Sequence, residues 1–318
     1  MSDDKSKVYD SLSATIENEL LSGEGRWVRT WDPSQGIDFP INAVHYEKDH
    51  KVVQYSGVNR ELLWHEGPDD GDPRYCTFNQ ARSMGWSIKK GSKGFTIEKW
   101  LSYDKKVDDG KVLKPEDDST DVASVRVSTL KFFSVFHASQ VDGIPPFEIC
   151  EDTRMASGTS ISRLAELMEV GIKHTAQSPR YKEHLDLILM PPISSFDSEE
   201  AHDTVLLGLL NVACLHDKRL GKKSIKCTEE DLAIHTRIIQ SISPCISSRQ
   251  LFIPYSPTSE YSLNSMREVG ADLKKMDGAK KTKYVMQSIR FSQRASNYLQ
   301  DLISTMDSRN DNSADMSL

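Results

Sequence analysis

All five tryptophans of this 318-residue chain, Trp27, Trp31, Trp64, Trp86 and Trp100, lie within its first hundred residues. A chain that confines its bulkiest side chains to one third of its length has two textures, and the rest of the pattern agrees. Apolar Val8, Leu12, Ile16 and Leu20 recur at four-residue steps over 5–22, which predicts a helix closing at Gly23. A second short helix is predicted to open at Tyr55–Trp64. Thr77-Phe78-Asn79-Gln80 fits a capping box and predicts another that ends near Gly85. Residues 86–100 alternate around a glycine-bearing turn and predict a β-hairpin. Residues 104–122 read as a charged loop inside a hairpin, and 125–137 as a strand. Beyond Pro145-Pro146 the chain turns helical, with helices predicted over 159–175, 199–215, 228–243 and two segments between 260 and 305. One exception is 185–192, a short buried strand ended by Pro191-Pro192. The fold class predicted is α+β: a mixed N-terminal domain over 1–150, a mostly helical domain with a small sheet over 158–306, and a polar, disordered tail over 307–318.

The totals exclude several classes. No apolar run has the length of a membrane span, and the opening MSDDKSKVYDSL lacks the apolar core of a secretory signal, so the expected compartment is the cytoplasm. Five scattered cysteines, Cys76, Cys150, Cys214, Cys227 and Cys245, never form a C-x-x-C pair and read as reduced, mostly buried thiols. The net charge of −7 argues against nucleic acid only if charge is evenly spread. It is not: residues 74–106 hold eight basic side chains against Glu98 and Asp104 alone, a local +6.

Single-strand binders combine cations that follow the phosphates with aromatic faces on which bases stack. Lys89, Lys90 and Lys93 around Gly91 and Gly94 supply cations and approachable backbone on one loop, with Arg82 nearby. Tyr55, Phe78 and Trp86 are candidate stacking faces; core packing is the better account of any single one of them, and only the cluster balances the two readings. Motifs for other chemistry are missing. No Gly-x-Ser-x-Gly elbow occurs, and Gly91-Ser92-Lys93-Gly94 lacks the spacing and ending of a phosphate-binding P-loop.

The run Pro40-x-Asn42, Tyr55-x-Gly57-x-Asn59-x-x-Leu62-Leu63, Tyr75-x-Thr77-Phe78-x-Gln80-Ala81, Gly85, Ile88-x-Lys90-Gly91-x-Lys93-Gly94 and Val135-Phe136-x-x-x-Gln140 resembles the N-terminal domain of the ArdC-type antirestriction proteins. The resemblance covers about 5–146 and includes the opening helix and the Trp27 and Trp31 pair. It implies a domain that binds single-stranded DNA, shared with some plasmid primases, and it assigns DNA contacts to Lys90, Lys93 and Asn59 by motif position.

In that family the second half resembles a zincin-like metallopeptidase. The scaffold is recognisable here in Asp186-x-Ile188-x-Met190-Pro191-Pro192, Phe196, Thr204-Val205 and Arg219-Leu220. The expected His-Glu-x-x-His falls on Leu207-Gly208-Leu209-Leu210-Asn211, and Glu230 or Asp231 stands where a third ligand is expected. Leucine cannot ligate zinc and glycine carries no base, so the resemblance implies a degenerate peptidase domain with no catalytic residue and no cofactor, zinc included. Cys214, His216, Cys227 and His235 are the only rescue set, and their spacing matches no structural zinc pattern. The expected function is therefore antirestriction by DNA binding, for a plasmid or phage, without catalysis. Single-stranded DNA is the expected partner, with double-stranded DNA and a host restriction or defence nuclease as further ones, and no membrane. Two alternatives stay open: a metal-dependent hydrolase using non-standard ligands, and a protein that inhibits a host nuclease by binding it.

Overall fold

In the computed structural model, which describes residues 2–108, 111–112, 123–149, 160–175 and 177–315, the opening apolar spacing becomes helix α1 (Ser2–Ser22) with Leu12, Ile16 and Leu20 buried. Asn42 ends the two-residue strand β1 (Ile41–Asn42) and caps helix α2 (Ala43–Asp49), accepting from the Val44 and His45 amides. Gly57, at φ +58°, admits the chain to α3 (Val58–Glu66). Strand β2 (Arg74–Thr77) pairs in parallel with β1 and runs straight into α4 (Phe78–Ser83). The predicted capping box is present there. Thr77 Oγ1 accepts from the Gln80 amide at 3.2 Å, and Gln80 Oε1 accepts from the Thr77 amide at 2.9 Å.

The local hairpin predicted over 86–100 does not form. Strand β3 (Ser87–Ile88) pairs with β7 (Val141–Asp142), while β4 (Phe95–Asp108) pairs with β6 (Ala123–His137) from Phe95↔Val135 out to Val107↔Ala123. Alternation fixes which face a residue takes and leaves the partner strand open. A short β5 (Lys111–Val112) folds back on the tip of β4, completing the order β1-β2-β6-β4-β5. Because β2 pairs with β6 only at residues 135–137, most of β4 and β6 stands out as a two-stranded ribbon.

The second half contains α5 (Ile161–Leu167), β8 (Gly171–His174), β9 (Arg180–Lys182), β10 (Leu187–Met190), α6 (Glu199–Ala213), α7 (Glu229–Leu251), α8 (Glu260–Lys274) and α9 (Gly278–Asp315). The predicted buried strand is β10, the centre of a three-stranded sheet, parallel to β8 and antiparallel to β9. Three boundaries differ from expectation. The helix predicted to reach residue 175 stops at Leu167, because the chain turns at Glu169, φ +55°, into β8. Helix α7 passes through Pro244 and does not end before it. Helix α9 continues through Asp315, over most of the segment expected to be a disordered tail.

Proline at 244 has no amide for the Gln240 carbonyl four residues earlier. Gly208 of α6 packs against that spot: a Cβ added to it would lie 2.7 Å from the Gln240 oxygen and 3.1 Å from Pro244 Cγ. Glycine lets the two helices close over the notch.

The expected division between 1–150 and 158–306 is not a division of the core, and residues 150–159 themselves lie outside the described ones. One cluster joins Leu12, Ile16, Leu20, Trp27, Trp31 and Trp64 to Ile238, Ile242, Met266, Val269, Tyr284 and Ile289. Arg249 of α7 crosses the same seam to Asp38 (2.6 Å), with its guanidinium over the rings of Trp64 and Trp31. A second cluster, from Ile161 to Leu299, belongs to the C-terminal half alone. Among the described cysteines, Cys76, Cys214 and Cys245 are buried, Cys227 is half-buried, and all four are free thiols. Among the described residues no helix is long and apolar enough to cross a membrane.

Candidate nucleic-acid interface

Period-two alternation sorts the ribbon into two faces. One carries Phe95, Ile97, Lys99, Leu101 and Tyr103 opposite Val135, Phe133, Lys131, Thr129 and Val127. The base of this face is core, with Val135 against Leu63 and Tyr75 and with Phe95 and Ile97 packed beside them. Further out it is exposed: Phe133 at 40% and Tyr103 at 44%. Lys99 and Lys131 face each other across the ladder, a like-charge pair that costs the sheet stability.

Where this face meets the start of α4 there is a groove of about 490 Å3, lined by Asn42, Tyr55, Thr77, Phe78, Asn79, Gln80, Ile97, Lys99, Phe133 and Ser134. Phe78 is the first residue of α4, and the capping of Thr77 behind it holds the ring 56% exposed at the rim. Tyr55 is half-buried, its ring edge-on to Tyr75 at 6.3 Å. The groove thus offers aromatic surface, amide groups and a lysine, the set that a single strand of nucleic acid requires.

The ten residues singled out in the sequence divide into three groups. Tyr55 and Phe78 line the groove. Lys90 and Lys93 are exposed between β3 and β4 and Arg82 is exposed on α4, and the backbone joins Lys93 to the groove wall, since Gly94 sits against Ser134. The others hold the fold. Lys89 donates to the Ser139 carbonyl at 2.8 Å and faces Asp142 at 4.0 Å. Gly91 takes the turn at φ +86°. Gly94 permits close contact with β6, where a Cβ would meet Ser134 Cβ at 2.9 Å and the Val135 carbonyl at 3.1 Å. Trp86 is buried with Ala43, Cys76, Ala81 and Val141. Asn59 clasps the open edge of β4: its Nδ2 donates to the Glu98 carbonyl and its Oδ1 accepts from the Glu98 amide, both at 2.7 Å. Lys99, Lys131 and Phe133 were missed from sequence, and the signal for them was the alternation along the ribbon once its true pairing is known.

The positions aligned with the peptidase motif are interior. Leu207 is in the core, and Gly208 fills the notch beside Pro244. Asn211 Nδ2 donates to the Leu207 carbonyl at 2.9 Å, and its Oδ1 accepts from Ser247 at 3.0 Å. Glu230 is exposed in the first turn of α7. The rescue set does not assemble. Cys214 is enclosed, its thiol pushed up to about 12 by burial. His235 is enclosed elsewhere, bonded to Ser288 at 3.0 Å and pushed down to about 4 by burial. His174 and His202 do meet, their Nε2 atoms 3.3 Å apart, but two nitrogens fall short of the three protein ligands of a catalytic zinc. Among the described residues no three His, Cys, Asp or Glu side chains form a metal-holding group.

Residues 6–136 match the family model for the N-terminal domain of anti-restriction factor ArdC. The metal-free crystal structure of the antirestriction ArdC protein from the R388 plasmid superposes over 93% of this chain and 98% of its own, at TM-score 0.62 and 21% identity. Residues 6–136 are thus similar to the ArdC N-terminal domain. The fold follows that of the R388 protein along nearly the whole length of the chain. Two DNA primases TraC of Escherichia coli are also similar, 27% identical over 233 residues and 23% over 228. Those stretches are 70% and 69% of this chain but 21% and 15% of the primases, so the chain spans about a fifth or less of these relatives.

A second R388 ArdC structure, similar to this chain at TM-score 0.60 and 19% identity, is Mn(II)-bound. That finding points to a metal cofactor and corrects the expectation that this chain takes none, zinc included. The expectation rested on Leu207, Gly208 and Asn211 alone, and the loss of one motif does not speak for a whole fold. The residues at those three positions do not fit a metal: Leu207 is core, Gly208 has no donor atom, and the Asn211 amide is bonded to Leu207 and Ser247.

Proposed function

We propose that this chain is an ArdC-type antirestriction protein of a mobile element that acts by binding DNA, preferentially single-stranded, breaking no bond. The observation that carries this reading is the ribbon groove, where Phe78 and Phe133 stand exposed beside the opposed Lys99 and Lys131. Exposed aromatics and a repelling lysine pair cost the fold free energy and suit a polyanion with stacking bases. The relatives support the role: one is named for antirestriction, the others for priming DNA.

Binding of fluorescent single- and double-stranded oligonucleotides across a salt series tests it. The single strand should bind more tightly, with a log–log salt slope of about −0.7 per phosphate contact. Phe78→Ala should weaken it by about 1–3 kcal/mol, the usual worth of one stacked base. Lys99→Ala with Lys131→Ala should flatten the slope by about 1.4, and Lys90→Ala with Lys93→Ala should act in the same direction. A protein that binds neither strand at low salt would sink the proposal.

A further inference from the structure

The ribbon's other face also borders a cleft. Glu98 and Trp100 alternate onto it, and Ser56 to Asn59 at the start of α3, Ser224 to Lys226, and Gln287, Arg290, Gln293 and Arg294 of α9 complete a space of about 590 Å3. Trp100 is 58% exposed there, where tryptophan is ordinarily well buried. Glu98 is neutralised, since Arg290 donates to both its carboxylate oxygens and Tyr9 donates to one of them. Arg294 reaches the Ser224 carbonyl with one guanidinium nitrogen and stays exposed, and the Lys226 side chain is exposed beside it. The cleft is therefore cationic, with an exposed indole face. Gln287 Oε1 is buried without a partner.

From this geometry we infer that the cleft is a second nucleotide subsite, in which a base stacks on Trp100 and a phosphate sits between Arg294 and Lys226. The inference rests on the single-strand reading of the groove and extends it. Lys99, on the groove face, and Trp100, on the cleft face, are consecutive in β4. Beyond the Asn59 clasp, and short of β5, no strand covers that edge of β4 among the described residues. A strand lying in the groove crosses the edge at Lys99–Trp100 and enters the cleft. A second site with an exposed aromatic face and free cations, within reach of the first, is what an extended polynucleotide needs.

The test compares oligo-dT of about six and about twenty nucleotides on the full chain, since sites of this kind span roughly 4–16 nucleotides per domain. Wild type should prefer the long strand. Trp100→Ala should weaken the long strand at least fivefold, and Lys226→Ala with Arg294→Ala should flatten its salt slope by about 1.4, both leaving the short strand unchanged. Trp100 and Lys226 are exposed, so these variants should melt like wild type. Lys226→Glu alone repeats the test should Arg294→Ala disturb the Ser224 turn. If wild type binds and these variants match it on both lengths, the subsite is wrong and the groove reading survives. Equal losses on both lengths would also overturn the two-faced path. A wild type that binds neither length overturns the groove reading itself.

Discussion

Arg249 places a guanidinium at the seam between the two halves with almost none of its side chain in contact with solvent. Its charge is met by Asp38 through two bonds, 3.0 Å to Oδ1 and 2.6 Å to Oδ2, and by the faces of Trp31, Trp64 and Tyr255. Breaking one side of such a pair costs far more than the pair contributes, because the remaining charge stays buried. Asp38→Ala should therefore lower stability by about 3–5 kcal/mol in urea unfolding. A loss below about 1 kcal/mol, typical of an exposed pair, would show that solvent reaches Arg249. Asp38 lies in a loop and Arg249 follows 211 residues later, a pairing that no local pattern in the sequence announces.

Among the elements, those governed by neighbouring residues were legible and those governed by distant ones were not. The α1 stripe and the Thr77–Gln80 box act within a turn or two, and both stand as read. The groove was half legible for the same reason. Tyr55 and Phe78 belong to a recognisable run, whereas Lys99 and Phe133 come together only through a pairing that spans the segment between β4 and β6. Asn59 and Trp86 look like contacts in one dimension and serve as clasp and core in three. Pro244 is the opposite error: a strong local stop signal overridden because α6 packs on the break. Gly208→Ala should overpack that junction and destabilise the protein by about 1–3 kcal/mol, where alanine in an exposed helix would stabilise it. Thermal unfolding of the variant decides the sign.

On the scale of the molecule, the boundary suggested by the change of texture separates two kinds of sequence that share one interior. Leu12, Ile16 and Leu20 are buried among residues that include Met266, Val269 and Ile289 of α8 and α9. A fragment of residues 1–149 would expose that surface, and it should show poor amide dispersion by NMR and no cooperative thermal transition, while the full chain unfolds in one step. A fragment that melts sharply on its own would refute the shared core.

That shared interior also sets what can move between genes. The family match ends at residue 136, yet the stretch similar to one of the much longer TraC primases runs for 233 residues. A recombination event that carried off only residues 6–136 would inherit the ribbon with half of its footing missing. The smallest cassette able to arrive folded in a new host protein includes the helices that close over α1, so the heritable module is longer than the motif by which it is recognised.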